Sequence, residues 1–488
     1  MWLSGPARAI QYHPNMSISP MASPSRPRRQ RRIPGLLTGL TLSALLVACG
    51  SGADAPGTDG ATPTSSSNAV SSTVPSDAGG SATPMPATDD LGRTIDELEA
   101  RVETDPTDVP GLTELGSTYL QLARETGDPT VYGRAERALD AALDLEPNNV
   151  DALVGAGVLA LARHDFAEGL EHGERAVELD PANPGALGVL ADAQTELGLY
   201  DEALASVQAM LDLNPDLSSY ARVSYQRELH GQLDGAIEAM EKSFDAGVAG
   251  SENAEYVRVL LGNLHFSRGE IDVAEQIYED SLAARPDFVY ALAGLARVRA
   301  AQGQTDEAVE LFDAVIARNP LPEFVVSLGE TLEGAGRAEE AQRQYELVGA
   351  IEQLFMANGV DVDLDLALFE ANHGDDPARA VELAQSAYER TPNIRAADAL
   401  GWALYRAGEF EEAGEYAAES LSLGFLDASF YYHAGAIAAA AGDNELARQH
   451  LEQALALNPS FSPLYGPAAR KLLDELGPGA AGGGDSLS

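Results

Sequence analysis

The residue types that most often carry chemistry are sparse in this 488-residue chain and poorly spaced for it. Eight histidines stand at 13, 164, 172, 230, 265, 373, 433 and 450. No two fall at i, i+3 or i, i+4, the spacing that sets two metal ligands on one helix face. His164 and His172 straddle a predicted turn and read as surface residues. The single cysteine, Cys49, excludes an intramolecular disulfide framework and any site built on several thiolates. There is no Gly-x-Ser-x-Gly elbow, Walker-type loop or Cys–His nucleophile pair. Gly155-Ala-Gly157-Val-Leu-Ala160 formally matches a dinucleotide fingerprint, but it lies in a helical stretch with no strand before it. The phosphate-cradling turn therefore cannot form, and Gly157 reads as a helix-packing residue. Asp and Glu number 76, so a catalytic carboxylate pair has no distinguishing mark against a solvated face. No catalytic residue, metal site or cofactor is assigned, and the chain reads as a non-enzyme.

Charge limits the partners. Against those 76 acids stand 31 Lys and Arg, a formal net charge of −45. Phosphate-backbone binding needs clustered cations, so nucleic acid is excluded as an expected partner. An anionic membrane surface would repel the folded part as well.

The N-terminus reads as an address. Residues 26–32 form a run rich in arginine, followed by an apolar stretch from Leu36 to Ala48. About 13 residues are too few to span a ~30 Å hydrocarbon core, but they suit a signal-peptide h-region. The stretch ends Leu46-Val47-Ala48-Cys49-Gly50, which resembles the lipobox of bacterial lipoproteins. That resemblance implies cleavage before Cys49 and its lipidation, with export and anchoring to the bacterial cell membrane as the expected address. Stable anchoring by more than one acyl chain is physically consistent with this. Residues 1–48 are thus read as a signal peptide. Residues 49–90, almost devoid of large apolar side chains, are read as a disordered Ser/Thr/Gly/Pro tether.

From Leu91 to 476 the pattern turns helical and repeats itself. Leu187, Leu190, Ala191, Ala203, Val207, Met210 and Pro215 map, 34 residues earlier, onto Leu153, Ala156, Gly157, Gly169, Gly173, Ala176 and Pro181. Leu112, Leu115, Gly116 and Tyr119 open the first unit, and Leu292, Leu295, Ala296, Ala308, Phe312 and Pro320 mark the sixth. This resembles the tetratricopeptide repeat, in which a small residue on each of two helices lets them pack closely and a proline ends the second. About ten repeats are expected between 108 and 460, with one helix before them (Leu91–Thr104) and a capping helix after (Ser462–Leu476). The second helix of the seventh repeat is expected to run past Phe355. The fold class is an all-α superhelical solenoid, and residues 477–488 read as a disordered tail. Stretches such as Ala397–Tyr405 and Tyr432–Gly435 also resemble a group of secreted bacterial repeat proteins.

The repeat resemblance implies that five positions of each first helix line a concave groove. They map onto Tyr225, Tyr256, Asn263, Phe266, Tyr290, Arg297, Phe369, Arg395, Trp402, Tyr405, Arg406 and Tyr432. Aromatic and arginine anchors dominate recognition surfaces, so a protein or peptide partner is expected there. The set departs from the basic clamp of chaperone-tail binders, so a free C-terminal carboxylate is not the expected ligand. The expected function is a membrane-anchored scaffold of the bacterial envelope. The rival readings are a carboxylate-dependent envelope hydrolase and a cytosolic regulatory repeat protein whose N-terminus merely imitates a signal.

Overall fold

The computed structural model describes residues 87–477, with side chains from Leu91 onward. Cys49, the segment read as signal and tether, and the tail after Gly477 lie outside the described residues. Among the described residues there are 22 α-helices and no strand. Helix α1 (Ala87–Thr104) leads, starting four residues before the sequence boundary. Ten helical pairs follow: α2 (Val109–Thr126) with α3 (Tyr132–Leu145), α4 (Val150–Ala162) with α5 (Phe166–Leu179), α6 (Pro184–Glu196) with α7 (Tyr200–Leu213), α8 (Leu217–Leu229) with α9 (Leu233–Ala246), and α10 (Glu252–Ser267) with α11 (Ile271–Ala284). The later five are α12 (Val289–Ala301) with α13 (Thr305–Ile316), α14 (Pro322–Gly334) with α15 (Ala338–Ala357), α16 (Asp363–His373) with α17 (Pro377–Arg390), α18 (Ile394–Ala407) with α19 (Phe410–Ser420), and α20 (Ala428–Ala441) with α21 (Asn444–Leu457). Helix α22 (Tyr465–Leu476) closes the array. The extra residues of the first repeat form a short 3₁₀ turn, Pro129–Val131.

Local chemistry sets the boundaries. Asn149, Asn183, Ser251, Asp376, Asn393 and Asp427 each accept a hydrogen bond from a backbone N–H in the first turn of the helix that follows. Small residues then let the paired helices meet. A methyl group on Gly262 or Gly294 would sit 2.5 Å from the Tyr278 ring, which fills the seam between them. One on Gly157 would sit 2.5 Å from Val189, so this glycine of the formal fingerprint is a packing residue.

Burial distinguishes the two helices of a pair. Second helices bury one stripe, as Ala413, Ala417 and Ser420 do in α19. Several first helices are buried almost all round: Ala186 to Glu196 of α6 and Ala396 to Leu404 of α18 are unbroken runs. A helix covered on every side must pack against something beyond its repeat neighbours.

That something is the next turn of the superhelix. The turn between the helices of repeats one to five carries a residue at positive φ: Gly127, His164, Gly198, Gly231 and Gly269. Each abuts a junction that follows a repeat five further along: Asn319, Asp361, Pro392, Gly424 and Leu457. Asn393 Nδ2 donates to Glu196 O at 2.7 Å, and Asn458 Nδ2 to Phe266 O at 2.8 Å, across 197 and 192 residues. The equivalent turn glycines Gly303, Gly336, Gly408 and Gly442 have no neighbour in that direction within 4 Å, because no further turn follows. The turns therefore stack in contact, about every six repeats. Inside, Tyr290 Oη donates to Arg124 O at 3.0 Å, joining the sixth repeat to the first.

The expected open groove is corrected by this closure. The superhelix winds tightly enough to fill most of its own axis. Tyr225, Tyr256, Phe266, Tyr290, Trp402 and Tyr432 are all buried.

Candidate functional site

What remains of the concave face is a cavity of about 240 Å³ on the superhelix axis. Its wall comes from the first helices of three consecutive repeats, α10, α12 and α14. The 34-residue register stacks equivalent positions into ladders. Tyr256, Tyr290 and Phe324 form an aromatic ladder, with ring centroids 5.2 Å apart at the first step and 6.2 Å at the second. Asn263, Arg297 and Thr331 form a polar one two turns further along each helix. Helix α14 adds Glu323, Ser327 and Glu330, spaced i, i+4, i+7 and therefore on one face. The roof is the following superhelical turn: Arg395 at the start of α18, Phe425 and Asp427 before α20, and Phe461 before α22. Glu228, at the end of α8, lines it from the side.

Six of the twelve expected groove residues meet at this cavity: Tyr256, Asn263, Phe266, Tyr290, Arg297 and Arg395. Tyr225 lies behind Arg395, whose guanidinium carbon is 5.9 Å from its ring centroid. The other five do not line it. Trp402 is 2 % exposed, stacked between Tyr405 and His433 at 4.7 and 4.2 Å, with its indole N–H donated to Asn372 Oδ1 at 2.7 Å. It is a core residue, enclosed by Tyr405 of its own helix, Tyr432 and His433 of the next repeat and Asn372 of the preceding one. Tyr432 is buried beside it, 5.3 Å from Tyr465. Phe369 packs on Tyr345 and His373, at 6.1 and 5.5 Å. Tyr405 and Arg406 are half-buried at the end of α18.

The carboxylates of the cavity were not singled out by sequence, being four among 76 acids. Burial pushes Glu323 up to about 8, with Asp365 adding to the rise and Arg297 opposing it. Burial also pushes Glu228 up to about 7, against the pull of Arg395, with Asp427 adding to the rise. Asp427 itself is raised for the same first reason, with hydrogen bonds from the Ser429 and Phe430 N–H groups opposing. The 34-residue ladder through Tyr256 and Tyr290 was the one sequence signal that could have located Phe324 and hence this wall.

Among the described residues, no group of three or more His, Cys, Asp or Glu could hold a metal ion, and no helix is long and apolar enough to cross a membrane. The stacked pairs, their small-residue seams and their proline-terminated second helices define a helical repeat solenoid. Family models described as tetratricopeptide repeat match residues 160–224 and 265–325, 122–184, and 428–461. The chain is a tetratricopeptide repeat protein, a member of a family of protein-interaction scaffolds. Among solved structures it is similar to the human IFIT1 dimer with PPP-AAAA (14% identity, 75% of this chain and 87% of that one, TM-score 0.41). It is also similar to the APC/C hetero-tetramer Cut9-Hcn1 (14%, 80% and 94%, 0.35). A third is PilW, a widely conserved type IV pilus biogenesis factor (19%, 41% and 92%, 0.35). Comparison with curated protein sequences finds no match.

Proposed function

We propose that the chain is a non-enzymatic interaction scaffold, exported and held at a bacterial envelope membrane by lipid on Cys49, that carries a protein partner on the outer face of its superhelix. Family membership supports the scaffold reading, and the sequence around Cys49 supports the anchor. The observation that carries the partner surface is helix α15. At 20 residues it is longer than the other second helices, which have 11 to 14. Val348 and Glu352 bury one side of the extension. On the other, Leu347, Leu354 and Met356 are 48, 46 and 53 % exposed, with Ala350 and Ala357 also exposed. Leu347, Ala350, Leu354 and Ala357 follow i, i+3, i+7, i+10, a continuous apolar ridge. Solvated helices do not ordinarily present such a ridge, and exposed apolar patches mark interaction sites.

The test is affinity capture from envelope extracts with the wild-type chain and with Leu347→Asp/Leu354→Asp. Both side chains are already in solvent, so the array is expected to keep its helicity while the retained partner band is lost. A double variant that folds and retains the same proteins as the wild type overturns the ridge. The anchor is checked separately: cells fed radiolabelled palmitate should label the wild-type chain and not Cys49→Ala. Labelling that survives the substitution disproves lipidation at this cysteine.

A further inference from the structure

We infer that the axial cavity binds a small organic cation, a site distinct from the partner ridge on α15 and independent of the scaffold reading. The cavity is built by two turns of the superhelix: three successive first helices supply the wall, and segments of the last repeats, from Arg395 to Pro463, supply the roof. Its charge is balanced only by protons. Glu228, Glu323, Glu330 and Asp427 face two guanidiniums, those of Arg297 and Arg395, a formal excess of two carboxyl groups that protons on Glu323 and Glu228 offset below about pH 7.

The arginines feel the carboxylates, Arg395 those of Glu196 and Glu228 and Arg297 that of Glu323, but their short contacts are to neutral groups. Arg297 donates to Asn263 Oδ1 and lies 5.2 Å from the centroid of the Phe266 ring. Arg395 lies 5.4 Å from that of Phe425 and donates to Tyr225 Oη at 3.4 Å. Tyr256, which already has the Arg124 guanidinium carbon 5.9 Å from its ring centroid, also lines the cavity with Tyr290, Phe324 and Phe461, and the face of an aromatic ring attracts a cation most strongly where water is scarce. Carboxylates in excess beside aromatic rings are the surroundings an alkylammonium group needs. A nucleic acid or other polyanion meets the opposite charge. The volume is below the ~300–1,000 Å³ of sites for drug-sized ligands, which limits the occupant to a small metabolite-sized molecule.

Proton binding shows how the site behaves without such a ligand. Glu323, facing Asp365 and Arg297, and Glu228, facing Arg395 and Asp427, retain protons up to about pH 8 and 7. An entering ammonium replaces those protons, so binding should release them and tighten as pH rises.

Isothermal titration of the full chain with benzylammonium, 1,4-diaminobutane and, as the anionic analogue, benzoate tests this between pH 6 and 8.5. The ammonium probes are expected to bind with proton release and with affinity rising at least tenfold across that range, while benzoate gives no saturable heat. Glu323→Gln, nearly isosteric, should cut the affinity at least tenfold and reduce the proton release. Ala293→Leu should obstruct the cavity from α12. Circular dichroism confirms that each variant is folded. Saturable binding of benzoate in preference to benzylammonium overturns the inference. So does the absence of ammonium binding to the wild type at millimolar concentration, or an affinity that neither pH nor Glu323→Gln alters.

Discussion

Trp402→Ala is expected to destabilise the C-terminal repeats by about 3–5 kcal/mol, the usual cost of truncating a buried tryptophan or phenylalanine. Three losses combine. The indole is 2 % exposed and fills the seam between α18 and α20, so its removal leaves a cavity. Its N–H satisfies Asn372 Oδ1 on α16, and an acceptor deprived of its donor in the interior carries a desolvation penalty. It also holds one face of His433, whose Nδ1 lies 2.8 Å from Asp398 Oδ2. Because repeat arrays are stabilised chiefly by contacts between neighbours, the loss should be local. Urea unfolding should develop an early phase, and hydrogen exchange should assign it to α16 through α22, with the first repeats protected as before. Trp402→Phe, which keeps the packing and loses the hydrogen bond, should fall between the two. An unchanged urea midpoint for Trp402→Ala, with no new exchange, would show that the indole is peripheral after all.

That residue also shows where the sequence stops being informative. Repeat period, helix boundaries and the overrun of α15 were legible, because each depends on residues close in sequence. Asn and Asp caps, the Gly262–Tyr278 seam and the prolines after second helices act within one repeat or between neighbours. Which residues face the axis was legible only in part: a 34-residue register carries over from one repeat to the next, yet six of the twelve mapped positions line the axial cavity and six do not. Whether that axis stays open was not legible at all. Closure depends on the small rotation between successive repeats, summed over about six of them, and on contacts such as Asn458 with Phe266 between residues 192 apart. Nothing in the local pattern of Asn458-Pro459 distinguishes it from Asn214-Pro215, although only the first lies against another turn. Trp402 is core for a nearer reason, its packing on Asn372 and His433 of the repeats on either side, while the same summation gathers Glu228, Glu323 and Asp427 into one cavity. The N-terminal signal is of another kind: it is a motif for processing enzymes and lipid, and folding of the array neither needs nor reflects it.

The array should be most stable in acidic solution and lose stability toward pH 8, because its deepest carboxyl groups are held in the protonated form. Burial pushes Glu352 up to about 8, with Asp365 and Glu370 adding to the rise and Arg379 opposing it. Glu323 and Glu228 are raised to about 8 and 7. In the unfolded chain these groups ionise near the usual ~4.3. Between that value and 8 the unfolded state therefore releases protons that the native state retains, and stability falls as pH rises. Each unit of displacement is worth about 1.4 kcal/mol, so ionising the three together costs on the order of several kcal/mol even after a discount for their partial exposure. Buried His373 sets the acid limit. Burial and, secondarily, Arg406 depress it to about 3, so below the unfolded value of ~6.5 the unfolded chain gains a proton that the native one refuses. Its contribution is complete above pH 6.5 and is lost as pH falls toward 3. Between pH 4.5 and 6.5 three carboxyl groups outweigh one histidine, so the two slopes balance near about pH 4 and stability declines from there toward pH 8. Glu352 separates this effect from ligand binding, since it lies on α15, away from the axial cavity. Glu352→Gln should raise the melting temperature at pH 8 and leave it nearly unchanged at pH 4.5, flattening the alkaline slope. A melting temperature that climbs steadily from pH 5 to 8 in the wild type, or a Glu352→Gln chain less stable than wild type at pH 8, would mean that this carboxylate is ionised and compensated in the folded state.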